Sequence, residues 1–192
     1  MHKALFLDRD GVINVNHGYV HQREDFDFID GVFELVQRAN AADMKVIVVT
    51  NQSGIARGMY TEEAFENLSQ WMSNQFLEHR SHIDAIFHCP HHPNGSVETY
   101  RLACDCRKPK AGMLLRAAKE LNIDLANSIM VGDKNIDMQA ACAAGLTKAY
   151  WFTPEARDNA AISLIEEEAV KLATGHTAIE RIESLFSVLR TQ

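Results

Sequence analysis

"LFLDRDGVIN", residues 5–14, decides the fold. Leu5, Phe6 and Leu7 form an apolar run that stops at Asp8 and Asp10, with only Arg9 between them. A short apolar segment that ends on two acids is expected where a strand buried on both faces reaches the carboxyl edge of its sheet, the edge at which open α/β sheets hold ligands. Residues two apart on extended chain point to the same side, so both acids are expected to face that rim. Like charges placed so close raise each other's cost of ionisation. A divalent cation with hard oxygen ligands would remove the conflict. An acid–base couple, or a nucleophilic aspartate that carries a phosphoryl group, are further uses of such a pair. "DRDG" also has the composition of an Asx turn.

Outward from this stretch, further apolar, β-branched runs recur: residues 45–51 (KVIVVTN), 83–89 (IDAIFHC) and 128–133 (SIMVGD), then 147–152 (TKAYWF) and a short run at 169–172. Helical spacing lies between them. Residues 30–43 place Val32, Leu35, Val36 and Ala39 on one face behind Asp30 as N-cap, and residues 61–79 open on Thr61 and two glutamates. Residues 111–122 and 135–145 follow, the second closed by Gly145, and 177–189 reads as an amphipathic terminal helix. Strands alternating with helices predict an α/β fold, a mostly parallel sheet with helices on both faces.

The chain has 192 residues, 46% hydrophobic and 23% charged. That predicts one domain over residues 1–192 with a substantial core. The net charge is −7 and no basic stripe is evident, which argues against a nucleic-acid partner, a DNA end-phosphatase included. No apolar run approaches the ~18 residues of a membrane span, and the first residues lack a signal-peptide pattern, so a cytoplasmic location is expected. An acidic chain that binds phosphate must gather local cations, and Arg57, Arg107 and Lys108 stand close to the strand ends in sequence.

Cys89, His91, Cys104 and Cys106 sit in an irregular stretch, about residues 88–108. Three sulfurs and one imidazole make a closed donor set suited to structural Zn²⁺, with His88 and His92 as competitors for the histidine position. The fourth cysteine, Cys142, stands in a small-residue helical stretch and reads as a core thiol. The zinc loop runs directly into Arg107 and Lys108, so a metal there would pin the backbone that presents Lys108.

"FLDRDGVIN", "VVTNQSGIARG", "CDCRKPKAGM" and "VGDKNIDMQAA", in that order and at these strand ends, resemble the four motifs of the haloacid dehalogenase superfamily over about residues 3–150. The cysteine–histidine loop resembles its histidinol-phosphate phosphatase-like subfamily. The resemblance implies a Rossmann-like fold without a large cap domain and a Mg²⁺-dependent phosphatase that forms an aspartyl phosphate. Asp8 resembles the nucleophile, Asp10 the general acid/base, Thr50 the hydroxyl that holds a phosphoryl oxygen, and Lys108 the cation beside it. Mg²⁺ would be held by Asp8, Asp133 and the backbone carbonyl of Asp10, with Asp137 in support. Asn16, His17, Gly18 and Tyr19 would line the substrate entrance, joined by Asn51, Ser53, Arg57 and Arg107. The implied substrate is a small sugar phosphate on the way to surface polysaccharide, handled by a monomer. Histidinol phosphate is an alternative substrate, and a zinc-stapled phosphate-binding module without catalysis is the non-enzyme alternative.

Overall fold

The computed structural model describes residues 1–152 and the strand residues 178–181. In chain order the elements are β1 Ala4–Leu7, α1 Val32–Ala41, β2 Lys45–Asn51, α2 Ser53–Ala56, α3 Glu62–Glu78, β3 Ala85–Cys89, α4 Gly112–Leu121, β4 Ile129–Gly132, α5 Asn135–Ala144, β5 Lys148–Trp151 and β6 Ala178–Arg181. The strands pair in parallel in the order β3-β2-β1-β4-β5-β6.

The period of two along each strand sorts the core into two layers. Leu5, Leu7, Val46, Val48, Ile129 and Val131 face one side, where Val32, Leu35, Val36 and Ala39 of α1 and Leu68, Met72 and Phe76 of α3 cover them. Ala4, Phe6, Ile47, Val49, Met130 and Ala149 face the other, against Met113, Leu114 and Ala117 of α4 and Met138, Ala140 and Ala141 of α5. Burial on both faces explains why β1 and β4 are continuous apolar runs rather than alternating ones.

Helix boundaries follow local chemistry. The Thr61 side chain accepts a hydrogen bond from the Ala64 N–H at 3.1 Å and caps α3, and α5 stops at Gly145 in a left-handed conformation. Two expectations are corrected. Gly31, not Asp30, precedes the first turn of α1, without a side-chain cap. Where a terminal helix was expected over 177–189, residues Ala178–Arg181 are strand, which adds to the edge of β5 in parallel register, Lys148 opposite Ala178 and Trp151 opposite Arg181; residues 182–189 lie outside the described residues. An open sheet edge supplies backbone partners that a four-residue segment's helical periodicity does not outweigh. The run expected as a strand at 169–172 lies outside the described residues.

Chain order reverses between β1 and β4: β2 and β3 lie on one side of β1, β4 to β6 on the other. The crevice at the carboxyl ends of β1 and β4 is therefore the topological switch point, where doubly wound sheets bind ligands. Leu7 pairs with Val131, and the Asp8 N–H donates to the Val131 carbonyl at 3.0 Å, so Asp8 emerges directly beside Gly132 and Asp133.

Candidate active site

Asp8 is 5% exposed and Lys108 1% exposed. The Lys108 ammonium reaches Asp8 Oδ1 at 2.9 Å, Asp137 Oδ1 at 2.6 Å and the Val49 carbonyl at 2.8 Å. Its backbone is clamped by the Asn51 side chain, which donates to the Lys108 carbonyl and accepts from the Lys108 N–H, each at 3.0 Å. Burial works against the lysine charge, but Asp8 and Asp137 outweigh it and hold the pKa above the ordinary lysine value. Burial pushes the Asp8 carboxyl up to about 7; Lys108 pulls it down, while Asp137, Asp133 and Asp10 add to the rise.

The two opening acids have different polar partners, and the extended geometry on which their common facing was expected does not reach residue 10. Strand geometry ends at Leu7, and a turn follows in which the Val12, Ile13 and Asn14 N–H groups all point to the Arg9 carbonyl. The Asp10 carboxylate turns to Arg9, whose Nη2 donates to Oδ1 at 2.9 Å and Nε to Oδ2 at 3.2 Å. Asn14 Nδ2 (3.2 Å) and Gln52 Nε2 (3.0 Å) complete its donors. Arg9 is 1% exposed, lies over the Phe26 and Phe65 rings and also donates to the Val20 carbonyl at 2.7 Å. Each acid therefore has its own buried cation, which offsets the repulsion read from the sequence in part, since Asp10, Asp133 and Asp137 still raise the Asp8 pKa.

The remaining acids form a cation pocket. One carboxylate oxygen from each of Asp8, Asp133 and Asp137 lies within 4.8 Å of the others. The Lys134 ammonium stands 3.4 Å from both Asp133 Oδ2 and the Asp10 carbonyl, so those two oxygens already face one positive group. Asp133 Oδ1 is buried without a hydrogen-bond partner among the described residues, and burial raises the Asp133 pKa. A clustered, all-oxygen set with one orphaned oxygen fits a hard divalent cation. Asp137 is wholly buried, accepts from the Lys134 N–H at 3.0 Å and is ion-paired with the Lys108 ammonium. Gly11 stands at φ 103°, and a Cβ there would lie 2.1 Å from Asp133 Oδ2.

The cysteine–histidine loop closes on itself. Cys106 Sγ lies 3.2 Å from both Cys89 and Cys104, those two are 3.5 Å apart, and His91 Nδ1 is 3.3 Å from Cys106 and 3.7 Å from Cys89. The cysteines are free thiols. With Zn–S bonds of about 2.3 Å, tetrahedral sulfurs sit somewhat under 4 Å apart, so the donor set fits zinc. The competing histidines are engaged elsewhere: His88 Nε2 with Glu62 at 2.8 Å, His92 Nε2 with Arg57 at 3.3 Å.

The entrance residues lie on loops tied to this centre. Asn16 accepts from the Gly18 N–H, His17 pairs with Asp27 at 2.8 Å, and Tyr19 is half-exposed at φ 53°. The Arg9–Val20 bond and the pairing of Asp10 with Asn14 bind that loop to the site. Thr50 is buried at the end of β2, with Ser53 at the start of α2, exposed Arg57 just beyond it, and Arg107 directed at the His91 carbonyl. Asn51, expected at the substrate, spends both ends of its amide on Lys108. Reading the sequence for function passed over Arg9 and Gln52, whose only signal is a long polar side chain set directly against an apolar strand.

Comparison with known proteins agrees with this architecture. The HAD-hydrolase-like family model matches residues 105–157. The chain is 55% identical over 143 residues to the D-glycero-beta-D-manno-heptose-1,7-bisphosphate 7-phosphatase of Escherichia coli K12, covering 74% of this chain and 75% of that protein. Identity is also 55% to the enzyme of that name from Vibrio cholerae, over 74% of this chain and 77% of that one. A crystal structure of D,D-heptose 1,7-bisphosphate phosphatase from B. bronchiseptica, complexed with magnesium and phosphate, superposes with a TM-score of 0.69 at 30% identity, over 86% of this chain and 99% of that one. Relatives this similar are phosphatases, which removes the binding-module alternative. The chain belongs to the haloacid dehalogenase-like hydrolases, among their phosphoric monoester hydrolases.

Proposed function

We propose that the chain removes the 7-phosphate of D-glycero-β-D-manno-heptose 1,7-bisphosphate, in the cytoplasm, as a step toward the nucleotide-activated heptose of lipopolysaccharide. The observation that carries the reading is the buried Asp8 carboxylate, held 2.9 Å from Lys108 at the switch point of the sheet, in a chain 55% identical to relatives that bear that enzyme's name. The relatives' names support the β anomer as the preferred substrate.

In this mechanism an Asp8 oxygen attacks the 7-phosphorus. The new O–P bond forms as the bond to the sugar oxygen breaks, and Asp10 delivers its proton to that oxygen. Asp10, now ionised, takes a proton from water; the hydroxide attacks phosphorus, and the Asp8–phosphorus bond breaks to release inorganic phosphate. Lys108 and the Thr50 hydroxyl hold the phosphoryl oxygens, and charge neutralisation with positioning supplies most of the rate. Mg²⁺ bound by Asp8, Asp133 and the Asp10 carbonyl would neutralise phosphoryl charge. The bisphosphate's second phosphate would meet Arg57 and Arg107 at the rim. Phosphate release measured with both heptose bisphosphate anomers and histidinol phosphate tests the reading; preference for histidinol phosphate would overturn it.

Two consequences concern the metals. Gly11→Ala places a methyl group on the Asp133 carboxylate and forces a left-handed backbone on alanine, a strain of about 1–3 kcal/mol. Calorimetric titration should show Mg²⁺ affinity reduced by roughly tenfold or more. Zn²⁺ held by Cys89, His91, Cys104 and Cys106 would have four protein ligands and no open position, a structural role. Cys106→Ser should lose the zinc by elemental analysis, lower the melting temperature by about 5 °C or more and reduce activity through displacement of Lys108, two residues on.

A further inference from the structure

Gln52 is 1% exposed, one residue beyond β2. Its amide nitrogen lies 3.0 Å from Asp10 Oδ2 and 2.8 Å from Thr50 Oγ1, and its amide oxygen accepts from the Tyr60 hydroxyl at 2.5 Å. One side chain thus spans the group read as the acid/base and the hydroxyl read as a phosphoryl holder, and its direction is set from behind. With the Tyr60 O–H on the oxygen end, only the nitrogen end faces the two acceptors. Tyr60 is itself fixed. It is buried, its ring lies where a side chain on Gly54 would be (a Cβ would stand 2.1 Å from Tyr60 Cε1), and His21 stacks on it at 5.0 Å and 7°. Burial raises the Tyr60 pKa to about 12, so the hydroxyl remains a donor.

Arg9 and Asn14 also donate to Asp10. They fix the carboxylate against its own turn. Gln52 alone among these donors also bonds to Thr50, and so sets the distance from the acid to the phosphoryl group rather than to the loop.

We propose that Gln52 is a positioning residue that registers Asp10 on the leaving oxygen of the substrate, with Tyr60 fixing its amide. The inference rests on the reading of Asp10 as general acid. Its signature is selectivity for leaving groups. A sugar alkoxide leaves only with a proton, whereas p-nitrophenolate leaves without one, so misplacing the acid slows the first and spares the second. A defect in packing or in phosphate binding slows both alike.

The experiment is rapid-quench measurement of the phosphorylation step with heptose bisphosphate and with p-nitrophenyl phosphate. Gln52→Met keeps length and packing without the donor; Gln52→Glu keeps the acceptor for Tyr60 and replaces the donor. Both are expected to slow the sugar reaction by roughly 30-fold and the aryl reaction by about threefold or less, with KM for the sugar within about threefold of wild type. Tyr60→Phe, the mildest change to packing, should slow the sugar reaction about threefold and leave the aryl reaction unchanged, and it serves if the Gln52 variants fail to fold. Equal losses with both substrates, or no loss with either, would overturn the inference. Asp10→Asn separates the two layers: if it is not itself selective against the sugar, the acid reading falls and the inference with it. If it is selective while Gln52→Met is not, the inference alone is wrong.

Discussion

Asp8→Asn should abolish turnover, by at least roughly a thousandfold with either heptose bisphosphate or p-nitrophenyl phosphate, and leave a folded protein. The amide cannot form the phosphoryl bond, so acid quenching during turnover should trap phosphate on the wild-type chain and none on the variant. Stability should behave in the opposite way. Asp8 is one of three carboxylates within 4.8 Å, and burial with those neighbours already raises its pKa to about 7. Removing its charge relieves repulsion, while Lys108 keeps Asp137 at 2.6 Å and the Val49 carbonyl at 2.8 Å. In the metal-free protein the variant should therefore melt no lower than wild type, within about 2–3 °C. Residual turnover within tenfold of wild type would remove Asp8 from its assigned role, whatever the melting curve.

Lys108→Met should be the most damaging single change to the fold of the site. The lysine is the shared cation of two buried carboxylates, and methionine fills its volume but leaves Asp8 and Asp137 without it. Breaking a buried pair from one side costs about 3–5 kcal/mol. In a chain of this size that corresponds to a melting temperature lower by about 10 °C, with activity lost in parallel. The dependence on pH has a definite sign. Asp8 is already raised in the folded state, and losing the opposing pull of Lys108 raises it further. The folded variant then binds more protons than the unfolded chain, so its stability falls as pH rises through that range. Thermal melts in EDTA should show the deficit largest above pH 7 and smaller near pH 5. A deficit that does not change with pH would mean that the lysine acts through packing alone.

These two outcomes differ because neighbouring charges in the same cluster play unlike parts. Asp8 is held in place at a cost in repulsion, whereas Lys108 is the group that makes the cluster tolerable. The zinc loop matters for the same reason. Cys106, Arg107 and Lys108 are consecutive, and Asn51 clamps the Lys108 backbone from β2. The lysine's position is therefore fixed from two sides, one of them dependent on the cysteine–histidine cluster.

Most of the scaffold is legible in local sequence. The runs at 45–51 and 147–152 become β2 and β5 with at most one residue trimmed at each end, because buried parallel strands need continuous apolar residues whatever surrounds them. The helix opened by Thr61 begins where its cap predicts, since capping joins residues three apart. Asp8, Thr50, Asn51 and Asp133 meet at one rim because each stands at the carboxyl end of a parallel strand or directly after it. The segment at 178–181 failed for a related reason. Its pairing partner, β5, lies about thirty residues earlier in the chain, and no local periodicity reports an open sheet edge.

By itself, then, the sequence determined the mostly parallel sheet with helices on both faces, the convergence of strand-end acids on one rim, and the three cysteines as one cluster. Each of these follows from strand period, chain order and residue chemistry. Tertiary structure alone decided that Asp8 and Asp10 part company, the first to Lys108 and the second to Arg9 and Gln52. It also engaged His88 with Glu62 and His92 with Arg57, leaving the sulfurs to His91, the histidine expected from the sequence, and it brought Tyr60 back to Gln52. Those choices depend on where a side chain points after its strand has ended, and that direction is set by partners up to a hundred residues away.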